Sequence, residues 1–155
     1  MSTFSRVVTV FTLILSTFSA FGSNVDVNDG YIREVIPGNE ITSSYMTINN
    51  NSEQQVTLIG AKSREIPRIE IHEHLMADGM MKMRQKEFII IAAGDSAVLQ
   101  PMGLHLMMFD IKTPLKAGQD VNVTLLFKEG QEIDVLLPVK SIKQTKPKTK
   151  HHHNH

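Results

Sequence analysis

The sequence predicts an all-β domain of sandwich or barrel type. Three observations carry this. Short runs of alternating apolar and polar residues are separated by Gly, Asn, Asp and Pro at intervals typical of such folds. No segment keeps an apolar stripe at 3.6-residue spacing over three turns, so little helix is expected. The 155-residue chain also leaves room for only one domain once two non-globular ends are set aside.

Taken in order, the expected strands are Gly30 to Val35, Thr42 to Asn49, Gln55 to Ala61, Arg68 to Met76, Met80 to Glu87, Ala97 to Leu99, Leu104 to Phe109, Val121 to Phe127 and Glu132 to Pro138. Turn chemistry supports the breaks between them. Asp78-Gly79 and Glu129-Gly130 are hairpin signals, Pro37-Gly38 and Ala93-Gly94 are loop signals, and Lys116-Ala117-Gly118 leads into a strand.

The ends read differently. From Val7 to Phe21 the chain carries no polar side chain larger than Ser or Thr, after a short polar stretch around Arg6, and small residues Ala20 and Gly22 stand at a cleavage position. Residues 1–22 are therefore expected to be an export signal, too short in its apolar part for a comfortable membrane span. The domain is assigned to 23–139. From Lys140 the composition turns to Lys, Thr, Gln and Pro and ends in His151, His152, His153, Asn154 and His155, so 140–155 is expected to be a disordered tail.

Composition removes whole classes of function. The chain has no cysteine, which excludes thiol redox catalysis, thiolate zinc sites and blue-copper electron transfer, and leaves the core to packing alone. From Asn24 to Val139 there are ten basic and sixteen acidic residues, whereas the tail holds five lysines and no acid. An acidic body repels phosphate, so no nucleic-acid partner is expected. No nucleophile pattern or Gly-rich phosphate loop appears, and an enzyme is not expected.

What the chain does concentrate is soft ligands. Three His and seven Met fall between His72 and Met108. Imidazole with thioether is a donor set that suits monovalent copper better than calcium or magnesium. On a strand, His105 and Met107 share a face while Leu104, Leu106 and Met108 share the other. A two-residue turn at Asp78-Gly79 sets Ala77 opposite Met80, His74 opposite Met83, and His72 diagonal to Met83. Three strands thus bring two imidazoles and two thioethers together. A single methionine is more simply a core filler. Some of Met76, Met80, Met81, Met102 and Met108 are accordingly assigned to the core, while Met81 shares a face with Met83 and stands guard beside it.

The spacing His72, ten residues, Met83, twenty-one residues, His105, one residue, Met107 is where a resemblance becomes specific. The runs IHEHLMADGMMKMR and GLHLMMFDIKTPLKAGQDVNVTLLF, with SYMTINN at Ser44 to Asn50, resemble the periplasmic copper chaperone family PCuAC over nearly all of Val27 to Val139. The resemblance implies a cupredoxin-like β-sandwich or Greek-key barrel and a Cu(I) site formed by His72, Met83, His105 and Met107. It further implies delivery of the metal to the CuA centre of cytochrome c oxidase subunit II, directly or through a Sco-type assembly protein. His74 is a contender as substitute ligand or supporting partner. His-rich tracts favour divalent metals, so His151, His152, His153 and His155 are assigned to Cu(II). A monomer in the periplasm, with no membrane insertion after signal cleavage, is the expected state. Two other readings are a periplasmic protein that sequesters copper without delivering it, and a structural sandwich whose Met and His only pack.

Overall fold

The computed structural model describes residues 24–141 and 143, so the expected signal segment and the terminal histidines lie outside the described residues. Ten strands follow one another without a helix among the described residues: β1 (Val25–Arg33), β2 (Thr42–Asn50), β3 (Val56–Lys62), β4 (Arg68–Ala77), β5 (Met80–Lys86), β6 (Ile89–Ile91), β7 (Ser96–Leu99), β8 (Leu104–Phe109), β9 (Asp120–Phe127) and β10 (Glu132–Lys140). Their order is β5-β4-β8-β7-β2-β1-β10-β9-β3-β6, with β8 also pairing directly with β2. Two sheets result, β5-β4-β8-β7-β2-β1 and β10-β9-β3-β6. They are joined by a short parallel pairing of Ile32 with Val139 and Arg33 with Lys140.

Alternation within each strand places the core between the sheets. Leu106 and Met108 of β8, Ile71 of β4, and Met46 and Ile48 of β2 face Leu58 of β3, Val121, Val123, Leu125 and Phe127 of β9, and Leu137 and Val139 of β10, all of them buried. Without a disulfide, this layer is the main source of stability.

The β4–β5 hairpin turns on Asp78 and Gly79, both at positive φ (54° and 74°), the geometry of a type I′ turn. Its register follows as the two-residue turn demands: Ala77 opposite Met80, Met76 opposite Met81, His74 opposite Met83 and His72 opposite Gln85.

Three differences from the sequence reading have physical causes. β1 begins five residues before the expected Gly30, because Asn28-Asp29-Gly30 forms a bulge within the strand, with Asp29 at φ 54° and a register shift between Asn28 and Tyr31. β6 is a three-residue edge strand on β3, too short to show alternation. β10 runs through Lys140, which composition assigned to the tail. Its ammonium lies 4.7 Å above the Tyr31 ring, and the Ser141 hydroxyl donates to Glu34 Oε1 at 2.9 Å.

At the bulge, a Cβ on Gly30 would stand 2.5 Å from the Leu137 Cδ2 methyl, and Leu137 is buried. Gly30→Ala is expected to destabilise the domain by about 1–3 kcal/mol through overpacking. Urea unfolding would check this as a lower midpoint at an unchanged slope.

Candidate metal centre

The outer face of the first sheet holds the chemistry. On β8, His105 and Met107 point away from the core that takes Leu106 and Met108. β4 runs antiparallel beside it with His72 opposite His105 and Glu70 opposite Met107. Residues two apart share a face, so Glu70, His72, His74 and Met76 line up on β4 and Met81, Met83 and Gln85 on β5. On the far side of β8, Ser43 of β2 is opposite Met107.

The three imidazoles form one cluster. The His74 ring stacks on His105 with centroids 5.0 Å apart, and His72 lies 6.1 Å from His105. Tyr45 of β2 closes a third side of His105 at 6.2 Å, and is itself packed against Tyr31 at 5.3 Å. This cover explains why His105 is only 2% exposed although it lies on the face turned away from the core.

Hydrogen bonds leave His105 and His72 each with one free ring nitrogen. A carbonyl can only accept, so His105 Nδ1–H donates to Gly103 O at 3.0 Å and leaves Nε2 as a lone-pair donor. Burial pushes the His105 pKa down, against the Gly103 bond and with help from His74 and His72. His72 Nε2–H donates to Glu70 Oε2 at 2.8 Å. Glu70 is held below the usual carboxylate range, first by that bond and then by Arg68, whose guanidinium also binds Asp110, while partial desolvation opposes the shift. His72 is thereby left with Nδ1 free, and this atom is buried without a protein partner, as is His74 Nδ1. Two buried, unsatisfied ring nitrogens are costly in a closed fold and call for a partner.

The thioethers differ from one another. Met107 is half-buried, and its Sδ accepts a hydrogen bond from the Ser43 hydroxyl at 3.3 Å. Met83 is 49% exposed on the edge strand, directly across from His74.

The structure thus brings His72, His74 and His105 into contact range, places Met107 next to His105 on one face, and sets Met83 one strand outward. His74 faces Met83 directly and His72 lies diagonal to it, as the two-residue turn predicts. Of the other five methionines from His72 to Met108, Met108 alone is in the core; Met80 and Met81 are exposed on the edge strand β5, Met76 at the end of β4 opposite Met81, and Met102 in the turn between β7 and β8. Glu70, Ser43 and Tyr45 were not foreseen. Glu70 was within reach, since it sits two residues before His72 on the same face; Ser43 and Tyr45 come from a strand whose adjacency alternation does not reveal.

Residues 25–139 match the family model described as "Putative lipoprotein LpqE-like". A relative from Leifsonia xyli subsp. xyli, "Putative lipoprotein Lxx21020", is 31% identical over 117 residues, which cover 75% of this chain and 69% of that protein. Among solved structures, the copper-bound PCuAC domain from PmoF2 superposes with a TM-score of 0.65 at 19% identity, over 76% of this chain and 93% of that one. The CuI-DR1885 structure from Deinococcus radiodurans has a TM-score of 0.56 at 32% identity, over 74% and 76%. The chain belongs to the LpqE-like family, and its all-β fold is the cupredoxin-like fold of the PCuAC domains.

Proposed function

We propose that this protein is an exported copper carrier that holds Cu(I) between the imidazoles of His72 and His105 and the thioethers of Met83 and Met107, and surrenders it to an acceptor protein. The observation that carries the reading is the set of free ring nitrogens, His105 Nε2 and His72 Nδ1, beside the Met107 sulfur on one sheet face. Neutral nitrogen with thioether suits a soft monovalent ion. The two relatives of known structure whose names include copper support the same cargo. Ligands drawn from an edge strand and an exposed thioether can be exchanged without unfolding the sheet, which is what a carrier needs and a resident cofactor does not. His74, stacked on His105 and opposite Met83, is a fifth donor within the same cluster.

Glu70 positions His72 by accepting a hydrogen bond from its Nε2–H, which leaves the lone pair on Nδ1. Glu70→Ala is expected to lower Cu(I) affinity by ~10–100-fold, the usual cost of removing a carboxylate behind a ligating histidine. Competition with a chromophoric Cu(I) chelator would measure it, and unchanged affinity would remove Glu70 from the site.

Export to the periplasm is supported by the apolar leader and by the lipoprotein names of the relatives. The acceptor we propose is the CuA centre of cytochrome c oxidase, reached directly or through a Sco-type protein, and the carrier works as a monomer without catalytic activity. The histidines at 151–153 and 155 serve as a separate Cu(II) trap. Deleting the gene tests the role: loss of oxidase activity at scarce copper is the expected result, whereas sensitivity to excess copper with normal oxidase activity would mean sequestration without delivery.

A further inference from the structure

Four methionines of the β4–β5 hairpin, Met76, Met80, Met81 and Met83, expose between 45% and 65% of their surface. Leucine or a charged residue would suit an edge strand equally well, and charge is the common way to blunt one. The register sorts these side chains. Met76 lies directly opposite Met81, and the next rung on the same face sets His74 opposite Met83. Met80, opposite Ala77, belongs to the other face, as does Lys82, whose ammonium is bound by Asp78 at 3.0 Å. The tip end of the outer face therefore presents three sulfurs and no carboxylate.

Opposed residues in an antiparallel pair have Cβ atoms about 4.5–5.5 Å apart, and diagonal ones about 7–8 Å, within reach of long side chains. Methionine has three rotatable bonds with which to close that distance. A sulfur-only set selects monovalent soft ions over zinc, magnesium or calcium.

We infer that Met76, Met81 and Met83 form a second, outer site for monovalent copper, one rung beyond the His/Met cluster and sharing Met83 with it. Copper enters at Met76 and Met81, the outermost pair. It then gains a bond to an inner donor, His74 or His105, as it loses the bond to Met76, and a second inner bond as it loses Met81. The ion stays Cu(I) throughout, and no proton moves, because thioethers and the free imidazole nitrogens donate lone pairs only. The inner end of this path rests on the function proposed above, but binding at the outer site does not.

The test uses the full chain labelled with 13C at the methionine ε-methyl groups and titrated with Ag(I), a redox-inert monovalent probe. In the wild-type protein the first equivalent should shift Met83 and Met107, and the second Met76 and Met81, while the buried Met46 and Met108 stay in place as internal references. In a His105→Ala/Met107→Ala variant, Met76, Met81 and Met83 should still shift. A Met76→Leu/Met81→Leu variant keeps the apolar surface and should lose the second event only. Met76 and Met81 resonances that stay fixed through two equivalents in the wild-type chain would overturn the outer site. Their movement with Met107 fixed would instead overturn the inner site and leave the outer one standing.

Discussion

Replacing His105 and Met107 together by alanine is expected to reduce Cu(I) affinity by more than ~100-fold, since removing even a supporting partner of a metal ligand costs 10–100-fold. Both residues come from β8, and they are the two donors whose positions are most tightly fixed. His105 is locked by its bond to Gly103 O, by the His74 stack and by Tyr45. Met107 is held by the Ser43 hydroxyl. What remains in the variant is His72, His74 and Met83 on the hairpin, which has only β4 to pair with at its outer strand. Chelator competition reads the affinity directly. Retention of wild-type affinity would mean that copper is held elsewhere, whereas an equal loss in Met107→Leu alone would show that sulfur governs binding.

Leu106→Ala should produce the largest loss of stability, about 2–5 kcal/mol, as expected for truncating a fully buried leucine. Leu106 lies between the two donors on β8, with its side chain on the core face, opposite Ile71 of β4 and Ser44 of β2. A domain of this size has only about 5–15 kcal/mol in total, so the melting temperature should fall visibly. Ligand linkage gives the same variant a second readout. Cu(I) in hundredfold excess over its dissociation constant stabilises the folded state by about 2.7 kcal/mol and should recover much of the loss. A melting temperature that copper does not raise would separate the metal from the folded domain.

The central part of this site was legible in the sequence because it depends on local rules. Asp78-Gly79 fixes a two-residue turn, the turn fixes the pairing of His74 with Met83, and period-two alternation puts His105 and Met107 on one face. Pairing between strands distant in sequence was not legible. That β4 lies antiparallel to β8 with His72 against His105, and that β2 brings Ser43 and Tyr45 alongside, follows from how the whole sandwich closes. The same limit explains the methionines. Met108 and Met76 are both apolar residues on strands; Met108 faces the core, whereas Met76 lies at the end of β4 beyond its pairing with β8, with only β5 beside it. Composition also marked Lys140 as tail, although its backbone pairs with Arg33 and closes the join between the sheets.

The central claim is a mixed nitrogen and sulfur Cu(I) site on the outer face of one sheet. X-ray absorption of the full chain loaded with less than one equivalent of Cu(I) tests it most directly, because the nearest shell of scatterers separates sulfur from nitrogen. Two sulfurs with two imidazole nitrogens are expected, falling to one sulfur in Met107→Leu. A shell of nitrogen and oxygen alone, unchanged by that substitution, would contradict the account.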